Sequence, residues 1–319
     1  MENVNSILLT TLISTVLIAT PLLLTSIGGL FSEKSGVINI GLEGMMIFGG
    51  FAGAMVMPML VKSMDWYLVS LIGIIVGMLG AMLLGLLHAV LSIKFKVNQI
   101  ISGTAINMLA PAVAFFTIKM VYGSYETPRI NMNSGSISLG AGSNLSYNQL
   151  FVVALAILVF LASVFIFKKT KFGRHIIAVG QNPKASATAG INVNKLRFIS
   201  VLISSAFAGF GGVSMVLLIE SKLSATLITG YGFLAMAILI FAGWKPVKCM
   251  VGAILFGLFN AIQPALSRLV GSNNPEIAGV IELFTQIGPY IIAIILLVLF
   301  SKNARSPKAL GTNYDKEER

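Results

Sequence analysis

Two carboxylates of this chain lie inside long apolar stretches, where a charge is costly. Glu43 follows Asn39 by four residues, so on a helix both side chains would share one face, and Glu282 lies in a later apolar stretch. Carboxylates within a membrane usually face protein or water rather than lipid. Each could take up a proton in a carrier, line a polar pathway, or accept hydrogen bonds that fix helix packing. We place Glu43 toward the inner half of the membrane and Glu282 toward the outer half, so we do not expect a catalytic pair.

A third polar candidate is Asn107, in the stretch VNQIISGTAINMLAPAVAFF. Gly103, Asn107 and Pro111 follow one another at four-residue spacing, which we interpret as an interruption of a helix. Transporters place polar backbone against the path of the solute at such interruptions. Asn107 could equally hydrogen-bond to a neighbouring helix. The candidates for a translocation path are therefore Asn39, Glu43, Asn107 and Glu282.

Motifs of known enzyme chemistry are absent from the sequence. There is no GxxxxGK[ST] phosphate loop, no HExxH metal-binding helix and no GxSxG nucleophile elbow. The two histidines, His88 and His175, are far apart in the chain, and the single cysteine, Cys249, excludes an internal disulfide and a cysteine-rich metal site. We therefore expect no catalysis, no bound metal and no cofactor.

The composition is that of a polytopic membrane protein. Hydrophobic residues make up 56% of the 319 residues and charged residues 10%, against about 25% charged in ordinary globular domains. At about 20 apolar residues per crossing, we predict nine spans, some of them broken at glycines: 7–30, 37–61, 66–93, 97–118, 150–167, 198–219, 223–244, 249–266 and 277–300. The expected fold is an all-α transmembrane bundle that forms one domain over residues 1–300. The polar tail at 301–319 is expected to be cytoplasmic and mostly disordered.

The basic residues are distributed unequally between the two sides of this bundle. Seventeen of the 22 Lys and Arg residues fall on one side and five on the other. Because loops rich in Lys and Arg stay in the cytoplasm, we predict an external N-terminus and a cytoplasmic C-terminus. The same asymmetry explains the net charge of +11 without a nucleic-acid partner.

The longest basic loop, residues 168–197, carries seven Lys and Arg residues and no Asp or Glu. Within it, Asn182 can cap a short helix, Pro183 suits the first helical position, and Gly190 can end the helix. The pattern predicts a small docking helix on the cytoplasmic side, between two spans.

Three stretches together resemble the inner-membrane permeases of ABC importers. They are SEKSGVINIGLEGMMIFGGFAG, VNQIISGTAINMLA and AVGQNPKASATAGINV. The branch they resemble serves branched-chain amino acids, simple sugars and nucleosides, and the form of the first stretch is most similar to the nucleoside permeases. The similarity covers nearly the whole chain, from about residue 21 to the ninth span.

The resemblance implies that the basic loop holds a coupling helix, which in this family docks into a groove of a separate ATPase. The matching positions are Gly180, Asn182, Pro183, Ala185, Ala187 and Gly190. Many relatives have two adjacent alanines where this chain has Ala185-Ser186-Ala187. The implied assembly, in the lipid bilayer of the cell membrane, has two permease subunits (identical, or paired with a longer sister), two ATPases and an extracellular solute-binding protein. ATP would be hydrolysed on the ATPases, and the solute expected is a nucleoside.

Two other functions stay open at this point. One is a simple-sugar permease of the same class. The other is a proton-coupled secondary transporter that uses Glu43 or Glu282 as its proton site. The lack of two obviously equal halves in the sequence disfavours the second alternative.

Overall fold

The structure is a computed structural model that describes residues 4–138, 144–270, 287–288, 291, 294–295 and 305–315. Its regular elements in these ranges are almost all helices. They are α1 (Val4–Lys34), α2 (Leu42–Leu60), α3 (Trp66–Ala89), α4 (Gln99–Tyr122), α5 (Tyr147–Lys169), α6 (Lys171–Gln181), α7 (Pro183–Thr188), α8 (Val193–Met215), α9 (Tyr231–Phe241) and α10 (Pro246–Val270). One π-helical turn extends α3 (Val90–Lys94) and another extends α8 (Val216–Glu220). Between α4 and α5, β1 (Ser136–Ser138) pairs antiparallel with β2 (Asn144–Ser146).

Six helical segments are long and apolar enough to cross a membrane, and they coincide with the first six predicted spans. The seventh prediction, 223–244, is wrong as one continuous helix. It holds only the 11-residue helix α9, about 16 Å long at 1.5 Å per residue, against a hydrocarbon core of about 30 Å. The eighth lies within α10, and most of the ninth lies outside the described residues. A mostly helical membrane fold is thus confirmed, with one short β-hairpin, whereas the number and orientation of the spans stay predictions.

Helix α8 occupies the centre of the described bundle and packs against α1, α2 and α3. Its glycines allow the close approach: a Cβ at Gly212 would overlap the carbonyl oxygen of Met46, and a Cβ at Gly49 would overlap the backbone of Gly209. Membrane helices associate through such small-residue contacts because lipid gives no hydrophobic drive for helix pairing. At these glycines the structure shows close helix packing rather than a break in the helix.

Helix α4 is continuous from Gln99 to Tyr122, with Pro111 inside it. The predicted interruption at Gly103, Asn107 and Pro111 is therefore wrong. Gly103 instead lets α4 approach the chain before α2, since a Cβ there would lie 2.9 Å from the Gly41 nitrogen. Non-helical backbone is found instead in the second and seventh predicted spans, as parts of the segments 35–41 and 221–230.

The tail also differs from expectation. Residues 305–315, predicted to be disordered, pack against the loops at one end of the bundle, and Pro307 and Ala309 are buried. Several backbone groups of this segment find partners more than 100 residues away in the chain. A polar composition alone indicates disorder because it supplies little apolar surface to bury, but here the neighbouring loops supply hydrogen-bond partners.

Candidate functional site

The basic loop folds into two consecutive helices joined at Asn182. The side chain of Asn182 accepts a hydrogen bond from the Ala185 nitrogen (3.0 Å), and Pro183 takes the first position of α7. Gly190 has φ +82° and ends the helix, with its nitrogen bonded to the Ala187 carbonyl. The short helix predicted from the capping pattern is confirmed.

The preceding helix, α6, was not predicted from the sequence. Thr170 caps it by accepting a hydrogen bond from the Gly173 nitrogen (3.1 Å). Its buried residues, Gly173, Ile176, Val179 and Gly180, lie on one face at three- or four-residue spacing, whereas Lys171 and Arg174 are exposed. This amphipathic period is the signal that would have identified the helix.

Not all six positions matched to the family's coupling helix face solvent. Asn182 and Ala185 are exposed, and Ala187 is half-buried. Ser186, the departure from the paired alanines of many relatives, points inward and donates to the Asn182 carbonyl (2.8 Å). Gly180 is buried where α6 contacts the end of α1, and a Cβ there would overlap the Lys34 carbonyl. Because Gly180 has no side chain, α6 can pack closely against the end of α1. The exposed residues of this helix pair include those in the first turn of α7.

The non-helical segment before α2 is held by side chains from α3 and α4. The Ile38 nitrogen donates to Oε1 of Gln99 (2.7 Å), and the Ile38 carbonyl lies 3.0 Å from Nε2 of His88. Asn107 spans the start of α2, donating from Nδ2 to the Ile40 carbonyl (2.9 Å) and accepting at Oδ1 from the Gly44 nitrogen (2.8 Å). Backbone groups inside a membrane protein need such partners. The sequence did not predict that Gln99 and His88 would bind the backbone of this segment.

Asn39 and Glu43 do not share a helix face, contrary to the prediction, because α2 begins only at Leu42. Asn39 lies in the preceding non-helical segment and is fully buried. Its Nδ2 donates to Oγ of Ser204 on α8 (3.0 Å), and its Oδ1 has no hydrogen-bond partner among the described residues.

Glu43 bonds to a different helix from Asn39 and caps the N-terminus of α9. Its Oε1 accepts from the Gly230 nitrogen (2.6 Å), and its Oε2 accepts from the nitrogens of Gly232 (3.0 Å) and Phe233 (3.2 Å). The first amides of a helix have no partners within the helix, and they carry the positive end of its dipole. Glu43 is only 6% exposed. The helix amides therefore supply the hydrogen bonds that its buried carboxylate needs. The geometry thus explains Glu43 as the anchor of a short helix.

The remaining path candidate, Glu282, lies outside the described residues. Within the described ranges, no three His, Cys, Asp or Glu residues are grouped so that they could hold a metal ion. Around 35–41, the side chains of Gln99, His88 and Asn107 are engaged with backbone groups, whereas Asn39 bonds to a side chain of α8 through Nδ2. The first turn of α7 stays exposed on the surface formed by the described residues.

Six long apolar helices, non-helical segments held by buried side chains and a capped helix in a basic loop are features of a polytopic membrane protein. The chain belongs to the family described as branched-chain amino acid transport system / permease component, whose model matches residues 11–300.

Curated relatives match over nearly their full lengths. The nucleoside ABC transporter permease protein NupC of Lactococcus lactis is 36% identical over 94% of this chain and 95% of its own length. The guanosine ABC transporter permease protein NupQ of Bacillus subtilis is 35% identical over 96% of each chain. The putative glucose ABC transporter permease protein TsgC13 of Haloferax volcanii is 32% identical over 95% of this chain and 97% of its own. This protein is accordingly the non-catalytic membrane subunit of an ABC importer in the cell membrane, and other components of the transporter supply the ATPase.

Proposed function

We propose that this permease imports nucleosides and that α7 is the helix through which an ATPase subunit drives it. The substrate class is supported by two relatives whose names specify nucleoside or guanosine transport, at 36% and 35% identity. A sugar is the second candidate, because TsgC13, named as a putative glucose permease, is 32% identical. The proton-coupled carrier considered from the sequence is disfavoured because the chain belongs to a family of transport-system permease components and is similar to ABC permeases. One of its two candidate proton sites, Glu43, is also engaged with the amides of α9.

The observation that carries the docking role is the shape of α7. It is capped at both ends by residues of its own loop, and Asn182, Lys184 and Ala185 are exposed on it. Small exposed side chains let a helix enter a groove closely. The surrounding Lys and Arg residues, with no acid in 168–197, would steer it toward an acidic rim of the partner.

The proposed topology has nine spans, an external N-terminus and a cytoplasmic C-terminus. Hydrogen bonds among the described residues support part of it. The turn after α1, the loop after α3, helix α6 and the tail meet at one end of the bundle, through the bonds of Gly311 to Gly36, Ala309 to Gly180 and Asn313 to Lys96. These are segments that the charge count assigned to a common, cytoplasmic side.

The assembly proposed is two permease subunits, identical or paired with a longer sister, with two ATPases and an extracellular solute-binding protein. ATP binding would draw the two α7 helices together and turn the bundle from inward-open to outward-open, and hydrolysis would reset it. Selectivity would reside mainly in the binding protein. For Asn39, Asn107 and Glu282, lining of the path stays a prediction.

Co-purification tests the docking role. Ala185→Asp places a charge on the exposed face of α7, and a carboxylate buried at an interface without a partner costs on the order of several kcal/mol. Ser63→Asp, exposed in the turn between α2 and α3, is the matched control on the side predicted to be external. We expect candidate ATPase subunits to purify with the wild type and with Ser63→Asp, and to be lost from Ala185→Asp. Equal recovery with all three proteins would contradict the assignment of α7.

Uptake by the reconstituted complex tests the substrate class. Proteoliposomes that contain the permease, its ATPases and its binding protein should accumulate labelled guanosine or uridine when ATP is present. Excess unlabelled nucleoside should compete, whereas excess glucose should not. Accumulation of glucose alone would replace the nucleoside assignment by the sugar alternative, and uptake by the permease without any ATPase would refute the ATP-driven class.

A further inference from the structure

The segment that comprises residues 305–315, here called the tail strap, crosses the end of the bundle where the docking helices lie. The Ala309 nitrogen donates to the carbonyl of Gly180 near the end of α6 (2.9 Å). Two residues later, the Gly311 nitrogen donates to the carbonyl of Gly36 in the turn after α1 (3.0 Å). The tail strap therefore ties α6 to the chain that leads into α2.

A buried arginine fastens the middle of the tail strap. Arg197, near the start of α8, is only 2% exposed. Its Nη1 donates to the Thr312 carbonyl (2.9 Å), and its Nε donates to the Ser35 carbonyl (3.1 Å). Burying a guanidinium is costly unless its donors are bonded. One side chain thus joins α8, the turn after α1 and the tail strap, although its Nη2 has no hydrogen-bond partner among the described residues. Gly36 leaves room for the guanidinium, since a Cβ at that position would lie 2.7 Å from Nη2.

The far end of the tail strap reaches the loop that follows α3. Nδ2 of Asn313 donates to the Lys96 carbonyl (2.7 Å), and the carboxylate of Asp315 pairs with the ammonium group of Lys96. At the near end, Leu310 packs against a buried apolar cluster of α1, α9 and α10. The tail strap is therefore anchored both by polar bonds and by apolar contact, although its own composition is polar.

One glycine of the tail strap is required by its conformation. Gly311 has φ +78°, a left-handed conformation that other residues adopt at a cost. A Cβ at this position would also lie 2.8 Å from Cδ1 of Ile38. Ile38 belongs to the segment 35–41, whose backbone is held by Gln99, His88 and Asn107. The tail strap thus contacts the same segment that leads into α2.

We propose that the tail strap is a coupling element, which transmits displacement of α6 and α7 to the start of α2. This inference rests on the proposed docking role of α7. The contacts form a continuous path: α6 bonds to the tail strap, the tail strap bonds to the turn after α1, and segment 35–41 continues into α2. From there Glu43 holds the N-terminus of α9. Arg197 is a positioning residue in this path, since it fixes the tail strap to α8.

The test removes or distorts the tail strap in the reconstituted transporter. One variant ends the chain after Ala304, and a second, Gly311→Val, keeps its length but opposes the left-handed backbone. A milder variant, Asn313→Ala, removes a single exposed donor and should fold normally. The controls are a chain that ends after Asp315, which keeps the whole strap, and Lys308→Ala, whose side chain is exposed. Three quantities are measured for each protein: the ATPase recovered with it, the rate of ATP hydrolysis, and guanosine uptake.

We expect the controls to match the wild type. Truncation after Ala304 and Gly311→Val should lower uptake per ATP hydrolysed by about fivefold or more, as expected for a typical coupling free energy. Both variants should also melt at a lower temperature, because Arg197 or Gly311 loses its native contacts, so uptake and hydrolysis are compared per folded permease, with ATPase recovery per folded permease near that of the wild type. Asn313→Ala should give a smaller loss of the same kind. Such a change in the ratio would support coupling, because a merely structural role would lower folded protein, hydrolysis and uptake together.

Two results would overturn the inference and leave the proposed function standing. One is unchanged uptake per ATP in both the truncated chain and Gly311→Val. The other is a loss of uptake that only parallels the loss of folded protein or of bound ATPase across the whole series. Failure of the wild type to bind any ATPase would instead overturn the proposed function, and this inference with it.

Discussion

Replacing Glu43 by glutamine should destabilise this permease, because the carboxylate caps α9 from a different helix. Its two oxygens accept from three backbone nitrogens at 2.6 to 3.2 Å. Glutamine offers one oxygen, so at least one amide loses its acceptor and faces an NH2 group instead. A buried unsatisfied amide costs about 1–3 kcal/mol, and the remaining bonds lose their charge-assisted strength. Together we expect a loss of about 2–4 kcal/mol in the free energy of unfolding.

Thermal melting of the purified permease in detergent measures this loss. At a few degrees per kcal/mol, the midpoint should fall by roughly 5–10 °C. Glu126→Gln is the matched control, because Glu126 is exposed and pairs only with Lys222 among the described residues. Exposed ion pairs contribute about 0–1 kcal/mol, so the control should melt near the wild type. ATP-driven uptake by the folded fraction of Glu43→Gln should persist.

Two results would refute the reasoning about Glu43. An unchanged melting temperature would show that the carboxylate is not the anchor of α9. Normal stability combined with complete loss of uptake would indicate instead that Glu43 acts on the solute or on a proton. Glu43→Asp adds a further check, since it keeps the charge but is shorter by one methylene, and it should be destabilised for lack of reach.

Three further predictions concern local contacts. Asn107→Ala should lower the melting temperature more than Thr104→Ala. Asn107 satisfies two backbone groups at the start of α2, at about 1–3 kcal/mol each, whereas Thr104 bonds only within its own helix. Equal melting temperatures would contradict this. Asn182→Ala should cost about 1 kcal/mol of local stability and speed amide exchange in α7, measured by mass spectrometry, and unchanged exchange would show that the cap is dispensable. The thiol of Cys249 is fully buried and should react with a maleimide only after denaturation; rapid labelling of the native protein would contradict the packing of α10.

The sequence was informative wherever the structure depends on neighbours along the chain. The cap at Asn182, Pro183 at the first position and the stop at Gly190 all lie within nine residues, and each was read correctly. The long apolar runs gave the six long helices in the same way, because burial in lipid requires every backbone group to bond within its own helix. The family resemblance also lay in contiguous stretches, and the match of the family's model to residues 11–300 confirms it.

The errors arose where partners are distant in the chain. Asn39 and Glu43 were placed on one helix face by their four-residue spacing, yet the Gln99 and Asn107 side chains stabilise a non-helical backbone just before Glu43. Pro111 was taken as a break in α4, but the helix continues through it. Neither outcome is visible in local propensity, since tertiary contacts override it.

What the sequence by itself determined is the membrane class, the helical fold, the capped short helix in the basic loop and the family. Only the tertiary structure decided that Glu43 caps a helix 187 residues further along and that the tail strap is ordered against Gly36 and Gly180. The physical reason is the same in both cases. A polar group inside a membrane protein must find a partner, and the sequence states the need for one but not which distant backbone group will meet it.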